Sequence, residues 1–247
     1  LTVAVASPER TRQADGALAY DWGVERFLSG VTHSGELENI DNPRWWQQEK
    51  EQTIRLQQAV SRKSNRRSNR RKKAVRRLGA ARAKVARKRL DWAHQQTALL
   101  ASRYALVATE ELTLKNMTRS AVGTVEEPGK QVAQKAGLNR EILDTAPGLF
   151  TSLFRYKVLE TGGEWVDAPT RKLKPSQRCP QCWHVAKKQL SQRMHCCEQC
   201  GHEENRDTAS ARVVLRWALE SISGQELAET GGHSPRETPS FATHRVE

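Results

Sequence analysis

Long hydrophobic runs are absent: no uninterrupted apolar stretch in the 247 residues approaches the roughly 18 that a membrane-spanning helix needs. The opening LTVAVASPERTRQ also lacks the apolar h-region of a secretory signal. Both absences predict a cytoplasmic protein with no membrane partner. Apolar residues make up only 37% of the chain and mean hydropathy is -0.74. That is little for a compact enzyme, so the core is expected to be concentrated, with much of the rest solvated surface or extended helix. No internal repeat of roughly 20 to 50 residues is present, which excludes a solenoid. Cysteine does not occur outside Cys179–Cys200, and no Asp or Glu occurs between Ser61 and Leu90. Position 1 is Leu rather than Met and enters at once on a strand-like LTVAVA, so an upstream portion is expected to be missing.

The acid-free stretch holds fifteen Lys or Arg. Taking these from the formal net charge of +13 leaves the rest of the chain at −2. The basicity is therefore one stripe. A short basic run is ordinarily a solvated helix face or a localisation tract; thirty residues without an acid point to a polyanion, whose phosphates release condensed counterions on contact. Arg66, Arg67, Arg70, Arg71, Lys72, Lys73, Arg76 and Arg77 are the candidate nucleic-acid contacts.

At this length the chain has room for one large or two small domains. From Ala17 to Ile40 the text reads as an antiparallel meander, ALAYDWGV, RFLSGVT, a Ser34-Gly35 turn and ELENI, with Asp21 within or at the end of the first strand. A helical stretch from about Gln47 to Arg103 is expected to break in SRKSNRRSNRR and fold back as an antiparallel hairpin. Leu78, Val85, Trp92 and Leu99 recur every seven residues beside Ala86, Leu90 and Ala93, predicting one packed side. YALVAT (Tyr104–Thr109) reads as a strand delivering Glu110 and Glu111. Residues 117–138 read as loop with at most short helices. A helix is expected from Pro147 to Thr161, with Thr145 as N-cap, Gly162-Gly163 as stop, and Leu149, Phe150, Leu153 and Phe154 on its apolar side. EWVDAP reads as a strand. Asp207 opens a helix in which Val213, Val214, Trp217 and Leu219 are available for packing, and the Gly-, Pro- and Ser-rich text beyond Ser223 reads as a disordered tail.

The cysteines fall as CPQC and CEQCG, with Cys196 just before the second pair. Two C-x-x-C knuckles supply four thiolates, Cys179, Cys182, Cys197 and Cys200, for a tetrahedral Zn²⁺ of the zinc-ribbon type. Cys196 is the alternative to Cys197, and His184, His195 and His202 border the cluster, where one could substitute for a thiolate, although plain surface histidine is the commoner case. A closed four-coordinate site is structural, worth on the order of 10 kcal/mol of apparent folding energy.

Composition alone does not single out Asp21, Glu110 and Asp207; their surroundings do. YDWGVERFLSGVTHSGE, VATEELTLKNM and NRDTASARVVL occur in the order of the three RuvC motifs of the TnpB/OrfB family of transposon-encoded proteins, which the chain resembles from about Asp21 to Leu219. LNREILDTA, RYKVLETGGEWVDAP and PSQRCPQC are similar to family text in the intervals. The match departs at Ala209-Ser210, where Asn-Ala or Ala-Ala is common, and at Asn205, where a second Asp often stands.

The resemblance implies an α/β fold: an RNase H-like (RuvC-like) nuclease core with an inserted Arg-rich helical hairpin and a four-cysteine zinc ribbon. The core is expected in three parts, 17–46, 104–174 and 205–222, split by the hairpin at 47–103 and the ribbon at 175–204. Residues 1–16 would end a missing N-terminal wedge domain, and 223–247 would be the tail. The implied activity is RNA-guided DNA cleavage in a prokaryotic, nucleoid-associated setting, with a DNA target and a guide RNA from the transposon end as partners. Asp21, Glu110 and Asp207 would hold Mg²⁺ or Mn²⁺, with Asp21 bridging a metal pair, in phosphodiester hydrolysis leaving 5′-phosphate and 3′-hydroxyl ends. The competing readings are an RNA-guided DNA binder without cleavage, a free-standing zinc-ribbon module and an unguided junction resolvase.

Overall fold

The computed structural model describes residues 14–124, 126–189 and 192–222. The strand-like opening and the expected tail lie outside the described residues. Five strands form one sheet: β1 (Gly16–Trp22), β2 (Arg26–Thr32), β3 (Leu37–Asp41), β4 (Tyr104–Glu110) and β5 (Glu164–Ala168), in the order β3-β2-β1-β4-β5. The first three make the expected meander, turning at Gly35 with φ 88°, a left-handed conformation that favours glycine. β4 pairs parallel to β1 and β5 parallel to β4, so β2 alone runs against the rest.

Both faces of the sheet are covered, and their residues differ in size. On one face Leu18, Tyr20, Leu28 and Val107 pack with Phe27, Phe150, Phe154 and Leu100. Edge-on ring contacts run unbroken from Trp45 through Trp92, Phe27, Phe150 and Phe154 to Trp165. Each fully buried Phe or Leu contributes roughly 1.5–3 kcal/mol here. On the other face stand Ala17, Ala19, Ala108 and Ala168, opposed by Ala211, Val214 and Ala218. Small side chains let a helix approach that face closely.

The helices are α1 (Trp45–Ser61), α2 (Asn69–Arg103), α3 (Leu114–Met117), α4 (Val132–Thr145), α5 (Pro147–Glu160), α6 (Thr170–Leu173) and α7 (Arg206–Ile222). A short ribbon, β6 (Met194–Cys196) and β7 (Glu203–Asn205), precedes α7. α2 and α5 supply the aromatic face and α7 the alanine face. α1 and α2 form the expected hairpin. Its turn is closed by Ser68, whose hydroxyl accepts from the Arg71 backbone N–H, and by the Arg71 guanidinium, which donates to the carbonyls of Val60 (3.0 Å) and Lys63 (2.9 Å). At the base, Asp144 of α4 accepts from the Trp46 backbone N–H at 2.7 Å and from Arg89 at 2.6 Å.

Several expectations are corrected. Leu99 and Leu90 face solvent, at 51% and 40% exposure, while Ala93, Thr97, Leu100 and Ala101 are buried. A seven-residue repeat drifts about 20° per heptad on a straight helix, so Leu99 has left the face that Leu78 began on. Residues expected as loop are helical from Val132 onward, through Gly137. Thr145 is not the N-cap of α5: Ala146 occupies that position in the left-handed region, and the Thr145 hydroxyl donates back to Ile142. Leu149 and Leu219 are largely exposed, at 36% and 41%.

Candidate active site and metal centre

Alternation along a strand decides where the acids point. Asp21 continues the parity of Ala17 and Ala19, and Glu110 that of Leu106 and Ala108, so both side chains belong to the face covered by α7. The register Tyr20↔Thr109 makes Asp21 and Glu110 neighbours at adjacent ends of parallel strands. Asp207 lies in the first turn of α7. Burial holds the Asp21 carboxyl well above the ordinary carboxylate range. The charges of Glu110 and Asp207 raise it further, and the Arg206 guanidinium and Trp22 backbone N–H partly offset the rise. Burial likewise raises Glu110, against the hydrogen bond from the Ser210 hydroxyl and the nearness of the Thr170 hydroxyl. The sheet and α7 therefore bring the three sequence-predicted acids into one electrostatic group.

Two clefts meet at Asp21 and Trp22. The larger, about 750 Å³, runs past Glu110, Asn116, Thr170, Arg171 and Lys172. The smaller, about 230 Å³, runs past Arg26, Ser29, Arg193, Arg206 and Asp207. An arrangement of carboxylates open on two sides and flanked by cations can receive a phosphodiester chain.

Three residues around the acids were not singled out by sequence reasoning as functional. Ser210 donates to Glu110 Oε1 at 2.8 Å. Asn205 caps α7, its Oδ1 accepting from the backbone N–H groups of Asp207 (3.0 Å) and Thr208 (3.4 Å). Arg206 donates to the carbonyls of Gln189 and Gln192, tying α7 to the ribbon loop. Asn205 and Ser210 were visible in the sequence as departures from the family motif.

The cysteine cluster forms without help from distant chain. Sulfurs of Cys179, Cys182, Cys197 and Cys200 all lie within 4.8 Å of one another, the one such metal-holding group among the described residues. The two knuckles repeat one hydrogen-bond pattern. The Cys179 N–H donates to the His184 carbonyl at 2.8 Å and the Cys197 N–H to the His202 carbonyl at 2.9 Å. The Trp183 and Gly201 N–H groups then donate back to Cys179 and Cys197. Both of these residues have positive φ, 66° and 71°. His184 and His202 thus recur for their backbones, and Cys196 stands exposed outside the sulfur group. Trp183 bears its left-handed strain between Arg178 and Arg216, 5.1 and 4.4 Å from its ring. Hydrogen bonding, first from the Cys200 backbone N–H, draws the Cys197 thiol down to about 6, while Cys182, whose sulfur lies against it, is pushed up to about 12.

The basic candidates are not brought to the acids. Arg66, Arg67, Arg70, Lys72, Lys73, Arg76 and Arg77 are exposed, at the hairpin turn and the first turns of α2. α2 packs on the sheet face opposite α7, and from Arg77 to Ala93, where it joins the aromatic-face core, it rises about 24 Å. Arg71 differs from the others: it is half-buried and engaged in closing the hairpin.

Residues 1–121 match the family model OrfB_IS605, described as a probable transposase, and residues 148–214 match the Cas12f1-like TNB domain. An Escherichia coli (strain K12) protein named "Putative RNA-guided DNA endonuclease InsQ" is 34% identical over 189 residues, covering 75% of this chain and 46% of that protein. A Streptomyces pristinaespiralis protein with the same description, without the InsQ name, is 28% identical over 229 residues, covering 90% and 52%. The chain thus spans about half the length of the curated relatives it matches. Two solved structures share the fold at 16% identity: a CRISPR-Cas12f ternary complex (TM-score 0.58, 87% of this chain, 41% of that one) and a Cas12f1-sgRNA-target DNA complex (0.59, 84% and 40%). With one family model over its first half, a second across the cysteine ribbon and the start of α7, and curated relatives aligned over three quarters of its length or more, the chain belongs to the TnpB/OrfB family of transposon-encoded proteins.

Proposed function

We propose that this chain is the nuclease portion of an RNA-guided DNA endonuclease, cutting phosphodiester bonds at Asp21, Glu110 and Asp207. The observation that carries the reading is the convergence of three acids from β1, β4 and α7 at one sheet end. The strand order β3-β2-β1-β4-β5, with β2 alone reversed, supports an RNase H-like core built from 17–46, 104–174 and 205–222, interrupted by the hairpin at 47–103 and the ribbon at 175–204.

Carboxylate oxygens that repel one another suit a hard divalent cation, so Asp21, Glu110 and Asp207 would hold Mg²⁺ or Mn²⁺. Such an ion supplies charge neutralisation and Lewis acidity toward the phosphodiester. The chain's own residues bind and orient the strand: Arg171 and Lys172 flank one cleft and Arg26 and Arg193 the other. The exposed arginines of the hairpin would hold a guide-target duplex by its phosphates, reading charge rather than sequence. The four thiols would hold Zn²⁺ as a closed structural site. The names of the relatives, and the RNA and DNA in one Cas12f1 neighbour, support a target DNA and a guide RNA as partners.

The test is cleavage of labelled single-stranded DNA by the zinc-loaded chain in Mg²⁺. Asp21→Ala and Glu110→Ala should each lower the rate on the order of 10³-fold while leaving DNA binding in place. Binding without cutting by the parent chain would favour an occupancy role instead.

A further inference from the structure

We propose that Ser210 is a positioning residue for the carboxylate site, its hydroxyl fixing Glu110 in the orientation that ligates a divalent cation. The inference rests on the assignment of Glu110 above. A serine hydroxyl inside a helix has a local acceptor within reach, the carbonyl three or four residues back. In this molecule Thr97, Ser102, Thr118, Thr145, Thr161 and Ser221, in helices or at their ends, all donate that way. Ser210 does not. Its single proton goes to Glu110 Oε1 at 2.8 Å, across one hundred residues of sequence.

Packing does not require this hydroxyl. Ser210 is 1% exposed between Ala209 at 1% and Ala211 at 0%, on the face where alanines of sheet and helix meet. Alanine would fill the position equally well. The added oxygen reaches the half-buried acid at the end of β4. A free glutamate side chain samples several rotamers; donation to Oε1 selects one of them and leaves the remaining acceptor capacity of the carboxylate for a cation. Thr170, at the start of α6, donates its own hydroxyl to the neighbouring Glu111 carbonyl at 3.4 Å instead. Groups that orient a ligating carboxylate in this way typically alter metal affinity 10- to 100-fold when removed.

The experiment is Mn²⁺ binding by the zinc-loaded full chain, read from the electron paramagnetic resonance signal of free Mn²⁺, with zinc content and thermal melting followed in parallel. Ser210→Ala should weaken Mn²⁺ binding about 10-fold with zinc retained and the melting curve close to the parent's. Ser221→Ala, which removes only a back-bond, should leave binding unchanged. In a Glu110→Ala background, Ser210→Ala should add nothing, because the acid it positions is gone. Unchanged Mn²⁺ affinity in Ser210→Ala would overturn the proposal. So would equal weakening in both backgrounds, which marks a general effect on α7. Failure of the underlying reading looks different: the parent chain would then bind no Mn²⁺ that Asp21→Ala abolishes.

Discussion

The four thiols and the three carboxylates gather charge in opposite ways. Each thiol pair is local, two cysteines three positions apart in a turn whose backbone bonds are repeated in the other knuckle. Their sulfurs converge within 4.8 Å on one another. The carboxylates come from positions 21, 110 and 207, are brought within reach of one another's charge by two parallel strands and the first turn of α7, and open onto two clefts. A closed, locally encoded site suits a structural role, whereas an open site assembled from distant chain suits binding of a substrate and depends on the whole fold. The two are joined at α7. The Arg206 N–H donates to the Arg193 carbonyl at 2.8 Å, Arg212 pairs with Glu204 at 2.8 Å, and Arg216 donates to the carbonyls of Pro180 and Gln181. Order in the ribbon therefore reaches the turn that carries Asp207.

Breaking the closed site should have the largest effect. Cys182→Ser removes one of the four thiols proposed to hold zinc, and with it part of a metal-linked folding energy on the order of 10 kcal/mol in the ribbon. Cleavage and Mn²⁺ binding should fall with it, although no carboxylate is changed; full cleavage by a zinc-free variant would separate the two sites. An intermediate effect is expected at the hairpin. Replacing Arg66, Arg67 and Arg70 with Ala should reduce the slope of log affinity against log salt by about 2–3 in a filter-binding assay. Arg71→Ala should instead lower stability by about 1–2 kcal/mol through the lost bonds to Val60 and Lys63, changing the slope less.

The smallest effect sharpens the contrast from the open side. Burial and mutual charge raise Asp21, and burial raises Glu110, above their unfolded values. Between the unfolded and folded values the folded chain binds more protons than the unfolded one. The metal-free protein should thus gain stability as pH falls through that window and lose it as pH rises. Asp21→Asn removes part of this burden, so its metal-free Tm at neutral pH should rise by about 2–4 °C for each 1 kcal/mol relieved. A lowered Tm would show that the acids do not strain the fold.

What was legible in the sequence follows the same division. The meander, the hairpin break and the cysteine knuckles are short-range patterns, and each was readable from a handful of residues. Asp21, Glu110 and Asp207 stand out only through family text, because nothing local distinguishes a ligand from a capping acid. The features that escaped are long-range choices of hydrogen-bond partner. Asp144 braces the hairpin base from about one hundred residues away at Trp46. Arg71 turns from a phosphate candidate into the clasp of its own turn. Ser210 forgoes a neighbouring carbonyl for Glu110. Leu99 was misjudged by geometry alone, the drift of a seven-residue repeat on a 3.6-residue helix.

The most direct test of the central claim is to follow metal content and cleavage of single-stranded DNA in one preparation, before and after dialysis against a mild chelator. The expected result is that cutting disappears and returns with Mg²⁺ alone, while one zinc per chain remains bound throughout and Asp21→Ala stays inactive in every condition. Cutting that follows zinc rather than Mg²⁺, or that survives in Asp21→Ala, would contradict the assignment of the chemistry to the carboxylates.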